Sequence, residues 1–527
     1  MSGVEWTILD NSNIVESYPG ITLPLTYSLI KIAYRGVFRG VIGANLKNDT
    51  ILAKFDDVFD NMIRSYKGRI YYCINNWYSL IDFMPFSKRI IPIWQDMMGV
   101  KNSDVYLGKR HDFTIWQKLK LYCNIAKTGL HVRRDMDSLN QDFKQVAQYF
   151  GETCNDNLSV AELLELFREI ERKVLDKWYV TISNDMYTFI WTGLLKRRLK
   201  KKGADVARHI SGITTLESMK PIKALLDIAQ KHGEDAGLMD SEAVREYIRM
   251  YGDRSPCELK LEVMTYREDP SLLERKIREY ASDRSKLDEM LNNMQNKETA
   301  PIRNTFALKR ARIGIQNREI SRLNRSRIYG MVRRIFMHVG AQLHRDGHID
   351  NPLDVFYLEI GEIQHEDMAI FRQKVASRKV EYTEYEKLPA HSRLVFRGDT
   401  LVDENTPTKW TGGYTGVGAS VGAITAEAVV LESPNDDADV KGKIIVTKTT
   451  DPGWVFLLAL AGGIVAEKGS LLSHTAIVSR ELGIPAVVAV ESATSVIKTG
   501  DIIRLDGDTG KVEILRSATT HRMTRAE

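Results

Sequence analysis

The sequence predicts a multidomain chain, a large mostly α-helical domain followed by a small α/β domain. Three observations carry this. From about Tyr27 to Gln373 apolar residues recur at helical spacing among abundant Glu, Lys and Arg, and proline is sparse. Near Leu401 the pattern changes, and from Gly412 the chain turns glycine-rich with short β-branched runs. Between the two lies a stretch holding Gly398, Asp399, Asp403, Glu404, Pro407, Gly412 and Gly413, which reads as a polar linker. The expected division is 1–396 helical, 397–413 hinge, 414–517 α/β, and 518–527 a basic, disordered tail.

Within the helical part, residues 160–174 and 271–291 have the clearest helical periodicity. In the α/β part, strand-length apolar runs fall at 428–431, 443–446, 463–465, 486–490, 501–505 and 511–515. Asp506-Gly507 and Thr509-Gly510 supply turn chemistry, and helical patterns intervene at 454–461 and 473–482.

The bulk numbers exclude several classes. Net charge is only +5, from 74 basic and 69 acidic residues, too small an excess to imply nucleic acid. Cys73, Cys123, Cys154 and Cys257 are far apart with no CxxC pair, so a reduced, cytoplasmic setting without disulfides or structural zinc is expected. The N-terminus lacks a basic region followed by an apolar core, so no signal peptide is read there. The longest apolar run, 454–466, is broken by Gly462 and Gly463 and is too short to span a bilayer.

His474 is the most informative residue. Ser473 is a good N-cap, Gly483 a good residue just past a helix end, and Pro485 stops continuation. His474 is therefore expected in the first turn of a helix, where unpaired N–H groups and the positive dipole end favour an anion. A nucleophilic imidazole that carries a phosphoryl group would benefit from that position.

The run Gly462-Gly463-Ile464-Val465-Ala466-Glu467-Lys468-Gly469-Ser470-Leu471-Leu472-Ser473-His474-Thr475-Ala476-Ile477 and its continuation to Val488 resemble the phosphohistidine (swivelling) domain of phosphoenolpyruvate-utilising enzymes. That family includes phosphoenolpyruvate synthase, pyruvate phosphate dikinase and rifampicin phosphotransferase. The resemblance implies that His474 accepts a phosphoryl group, supported by Gly469, Ser473 and Thr475 in its loop. Ser470 departs from the family, where a second glycine is usual. The residues 416–422, 449–454 and 505–512 look like the family's opening turn, first-helix loop and closing hairpin.

Three helical segments resemble the acceptor-substrate domain of rifampicin phosphotransferase and synthase-like proteins: 211–218, 252–259 with 266–270, and 310–358. Leu23-Pro24-Leu25-Thr26 and Gly68-Arg69-Ile70-Tyr71-Tyr72 fit more loosely. The family often has histidine where this chain has Asp253, so the acceptor chemistry is expected to differ.

Between Arg303 and Arg334 the chain has ten basic residues and one acid, Glu319. Arg318, Arg322 and Arg325 are spaced to share one helix face. Guanidinium forks suit phosphate oxygens, so this face, with Arg254, is a candidate phosphate-binding surface. The bland alternative is a solvated basic face, or arginines paired with distant acids. Asp253 and Glu258 are candidate general bases. Lys196 to Lys202, with six charges in seven residues, reads as a solvated helix end. The aromatic stretch with Tyr66, Tyr71, Tyr72, Trp77, Tyr78, Phe83, Phe86 and Trp94 reads as core rather than as a pocket wall. His344 and His348 are four apart, but Gly347 breaks the helix between them and no HExxH follows, so no metal site is expected.

Neither the glycine-rich phosphate loop of an ATP-grasp domain nor an eight-stranded βα barrel is legible, so phosphoenolpyruvate and pyruvate are not expected as substrates. The resemblance implies an ATP-dependent, dikinase-type phosphotransferase component. A separate ATP-grasp partner (pyruvate phosphate dikinase-like) would bring ATP and Mg2+, with no cofactor bound tightly by this chain. A small-molecule acceptor would sit in the helical domain, with no nucleic acid or membrane as partner. The alternative is a non-catalytic phosphohistidine relay that docks a regulatory protein partner.

Overall fold

The computed structural model describes residues 6–11, 14–83, 87, 91, 113–200, 220–255, 257, 259–282, 284–295, 306–405, 414–432, 434, 439–450, 454–469 and 473–518. The chain forms two compact units, each assembled from three segments. One takes Met1–Tyr187, Leu259–Glu262 and Ile328–Thr406; the other takes Thr188–Glu258, Val263–Arg327 and Pro407–Glu527.

In the first unit the helix starts follow local chemistry. Pro24 sits in the first turn of Pro24–Leu46, and capping boxes open Ile115–Thr153 (Thr114 with Gln117) and Val160–Ile170 (Ser159 with Glu162). The short segment Leu259–Glu262 is tied in by Thr26, whose hydroxyl donates to Glu262 Oε2 at 2.5 Å and accepts from the Leu261 N–H at 2.9 Å. Arg333, stacked on Phe356, donates to the Leu261 carbonyl.

This unit also contains a five-stranded antiparallel sheet that the helical expectation did not include. Its order is Ile63–Tyr66, Arg69–Cys73, Trp6–Asp10, Arg393–Arg397, Thr400–Asn405. The first two strands form a hairpin about Lys67 (φ 48°) and Gly68 (φ 71°), a left-handed pair that matches strand twist. The central strand pairs Trp6 with Arg397 and Asp10 with Arg393, a partnership no local pattern announces. Residues 400–405 of the expected hinge are thus a paired strand, and 406–413 lie outside the described residues. Leu9, Tyr71, Cys73 and Leu394 pack on one face, while Ile8, Ile63, Ile70 and Tyr72 face the main helical core. Tyr71, Tyr72, Tyr78 and Phe83 are all buried. Trp77 stacks edge-on with Phe38 and Tyr72, and Tyr66 with Phe396. Phe86 and Trp94 lie outside the described residues.

In the second unit the expected helix over 271–291 is two, Pro270–Ala281 and Arg284–Gln295. They pack with Lys220–His232, Glu242–Tyr251, residues 188–200 of Tyr179–Lys200 and residues 306–327 of Phe306–Arg345. The basic run near Lys196 continues this helix to Lys200; 201 and 202, like 211–218, lie outside the described residues.

The α/β part carries an eight-stranded sheet. The order is Tyr414–Thr415, Lys511–Arg516, Ile502–Asp506, Ala423–Val430, Ile444–Thr447, Gly463–Ala466, Ala486–Val488, Val417–Ser420. The strands from Ala423–Val430 to Ala486–Val488 run parallel, and Ile444–Thr447, Gly463–Ala466 and Ala486–Val488 are buried on both faces, which explains their unbroken apolar sequence. Alternation divides them cleanly. Ile444, Val446, Val465 and Val487 join Ile503, Leu505 and Val512 on one side. Ile445, Ile464, Ala466, Ala486 and Val488 face the helices Val455–Leu460 and His474–Leu482 on the other. That second face is continuous with Leu225, Leu287, Leu291, Leu308, Ala311 and Ile315 from the helical segments of the unit.

Gly507 closes the turn at the sheet's edge, and a Cβ there would lie 1.8 Å from the Ser420 carbonyl oxygen. Gly507→Ala is expected to lower unfolding free energy by roughly 2 kcal/mol, read as a drop in thermal midpoint. In the first unit, burial alone would raise the Glu362 carboxyl. Hydrogen bonds from Arg378 (2.7 and 2.8 Å), the Glu359 N–H and Lys374 (2.9 Å) outweigh it and hold the group down at about 2. A depressed carboxylate stabilises above its ordinary value of 4.5 and loses that stability as pH falls toward 2. Glu362→Gln should therefore be less stable than the parent at pH 7, with the gap closing between pH 4.5 and 2 in a series of denaturant melts.

Candidate functional site

The strand Gly463–Ala466 delivers the chain to the loop that precedes the histidine. Gly469 has φ +132° and an added Cβ would lie 2.9 Å from Ser473 Oγ and 3.2 Å from Val488 Cβ, so only glycine fits. Residues 470–472 lie outside the described residues. Ser473 then caps the helix as expected: its Oγ accepts from the Ala476 N–H at 3.3 Å. Gly483, in the left-handed conformation at φ 75°, ends it. His474 is the first residue of this nine-residue helix.

Two further bonds fix the helix. Thr475 Oγ1 shares a buried 2.8 Å hydrogen bond with Thr450 Oγ1 in the loop ahead of Val455–Leu460. Arg480 Nε donates to the Ala419 carbonyl at 2.6 Å. Ala476, Ile477, Val478 and Leu482 enter the common apolar cluster, and the Arg284–Gln295 helix packs against this helix. His474, expected to trade its load with other molecules, is consequently only 4% exposed in this conformation.

The arginine segment lies on the Phe306–Arg345 helix, and its residues 306–327 share a unit with His474. Arg318, Arg322 and Arg325 are half-buried rather than solvated. Arg322 Nη1 stands 3.6 Å from Glu319 Oε1, so part of the charge is met by an acid of the same helix. Glu319 is 1% exposed and is the functional candidate that sequence reasoning passed over. Its signal was present: one acid among ten bases.

Arg254 is buried in a turn where its N–H donates to the Tyr251 carbonyl (3.1 Å) and its carbonyl accepts from the Tyr266 N–H (2.9 Å). Asp253 accepts from Arg267 Nε at 2.7 Å, and Arg267 also donates to the Ile248 carbonyl. The candidate base Asp253 is thus engaged in stapling its own loop. Glu258 lies outside the described residues. His344 Nδ1 is 3.2 Å from the Ile349 carbonyl oxygen, and the helix ends at Arg345 before His348. Among the described residues no group of three His, Cys, Asp or Glu could hold a metal ion, and no helix is long and apolar enough to cross a membrane.

Residues 439–510 match the family described as PEP-utilising enzyme, mobile domain. Rifampicin phosphotransferase of Bacillus subtilis (strain 168) is 31% identical over 342 residues, 59% of this chain and 38% of that protein. An uncharacterized protein of Mycobacterium tuberculosis (strain ATCC 25618 / H37Rv) is 27% identical over 562 aligned residues, 96% of this chain and 61% of that protein. The prodigiosin synthesizing transferase of Serratia marcescens is 45% identical over 107 residues, 20% of this chain and 12% of that protein. The chain spans 38% of the length of the Bacillus subtilis rifampicin phosphotransferase. The chain is a relative of the phosphoenolpyruvate-utilising enzymes.

Removing the cap tests the local architecture. Ser473→Ala leaves the Ala476 N–H without its acceptor and should cost about 1 kcal/mol, measured as a lower denaturant midpoint with unchanged slope.

Proposed function

We propose that this chain is a phosphotransferase component that carries a phosphoryl group on His474 and passes it to a small molecule held by the helical residues. The observation that carries this reading is a histidine opening a capped helix inside the span that matches the mobile domain. Phosphoryl transfer through histidine fits the rifampicin phosphotransferases among its relatives.

In this reading a separate ATP-grasp protein, with ATP and Mg2+ in its own site, charges the imidazole. An imidazole 4% exposed cannot reach such a site, so the α/β part must first leave the helices that cover it. On return, phospho-His474 meets the acceptor, and Arg318, Arg322, Arg325 and Arg254 neutralise the transferring group. Holding donor and acceptor in one small unit replaces a bimolecular encounter by a local one. Transfer in line then needs little covalent help from the protein beyond positioning and charge.

The test mixes the full chain with an ATP-grasp protein and γ- or β-labelled ATP. Wild type should take acid-labile label and His474→Ala none. Arg322→Gln should accept label but pass it on at least tenfold more slowly, on the order of the loss of one charge-stabilising group. Label on the His474→Ala chain at wild-type level would end the proposal.

A further inference from the structure

Along the Phe306–Arg345 helix the inward face changes character. Leu308, Ala311 and Ile315 belong to the apolar cluster that holds Ala476, Ile477 and Val478 of the histidine's helix. Four residues beyond Ile315, on the same side of the helix, stands Glu319. Its side chain is 1% exposed, and among the described residues no protein group donates a hydrogen bond to either carboxylate oxygen. Arg322 Nη1 at 3.6 Å from Oε1 supplies charge without a hydrogen bond. Arg325 Nε, nearly two turns past Glu319, is likewise buried without an acceptor among the described residues.

An ionised carboxylate buried this way is costly, and an apolar residue of similar size would avoid the cost. A pair built for stability closes into direct hydrogen bonds, as Glu362 does with Arg378 at 2.7 and 2.8 Å. Glu319 instead has both oxygens without a protein donor among the described residues, inside the unit that contains His474. A buried polar group left without a protein donor calls for an explanation, and a catalytic role is one.

We infer that Glu319 is the general base that binds and deprotonates the acceptor's hydroxyl in the transfer step. The inference rests on the phosphocarrier reading of His474. As the acceptor oxygen forms its bond to phosphorus, its proton passes to a Glu319 carboxylate oxygen. The P–N bond breaks, and its electron pair returns to the ring nitrogen of an imidazole whose other nitrogen carries a proton. The products are a phosphate ester, neutral His474 and a protonated Glu319 that releases its proton to solvent. A buried anion disfavours an anionic acceptor at the same place, so the acceptor is a neutral hydroxyl compound.

The experiment charges the full chain chemically with labelled phosphoramidate, a small phosphoryl donor for histidine, and needs no natural acceptor. Release is followed into water, which must lose a proton as it attacks, and into hydroxylamine, which attacks without a base. Glu319→Gln should still take label on His474 and release it to water about a hundredfold more slowly. Its release to hydroxylamine should stay within about twofold of wild type. Glu319→Asp, which keeps a carboxylate, should recover part of the loss. Equal release to water from wild type and Glu319→Gln overturns the inference, as does equal slowing with both acceptors, which would mark a structural role. Absence of label on wild-type His474 removes the carrier reading and this inference together, whereas label that behaves identically in both chains removes the base alone.

Discussion

One apolar cluster governs the second unit. It joins one face of the eight-stranded sheet, the His474–Leu482 helix, and the helices on which Leu287, Leu308 and Ile315 stand. His474 opens the helix that gives Ala476, Ile477 and Val478 to this cluster and is itself buried. A neutral imidazole tolerates such a place. A phosphorylated one, with close to two negative charges, does so only against cations. In the proposed reading charge state and docking are therefore linked: the contacts that hold an uncharged imidazole would demand arginines once it carried a phosphoryl group.

The ion pairs of this molecule show how geometry separates support from chemistry. Arg168–Glu165 and Arg249–Glu246 are exposed helix pairs, worth little and screened by salt. Glu362 is saturated by Arg378 and Lys374 and anchors its helix. Asp253 is taken up by Arg267 in the same manner. Glu319, deeply buried beside a guanidinium that stops at 3.6 Å, belongs to neither pattern.

Much of the α/β half was legible because its signals are short-range. Apolar runs of strand length, the Ser473 cap and the Gly483 stop each act within a few residues; a strand overlaps each of the six expected runs and both helices appear, but the first of those strands begins at Ala423 and Val417–Ser420 is a strand where a turn was read. The five-stranded sheet was not legible because its central strand, Trp6–Asp10, finds Arg393–Arg397 almost the whole helical region later. Thr400–Asn405 hid behind Asp403 and Glu404, whose acidity suits an edge strand as well as a linker. His474 announced itself through its neighbours in sequence. The ion pair of Asp253 with Arg267 and the burial of Glu319 were not legible because both depend on packing that no local pattern announces.

The second unit is stitched from Thr188–Glu258, Val263–Arg327 and Pro407–Glu527. A ribosome therefore finishes the first two pieces long before the third exists. Leu225, Leu287 and Leu308 must wait, their greasy sides uncovered, until Ile445, Ile464 and Val488 emerge to meet them. Synthesis order thus leaves that apolar face uncovered until the last piece arrives, and any premature stop after residue 406 leaves it so.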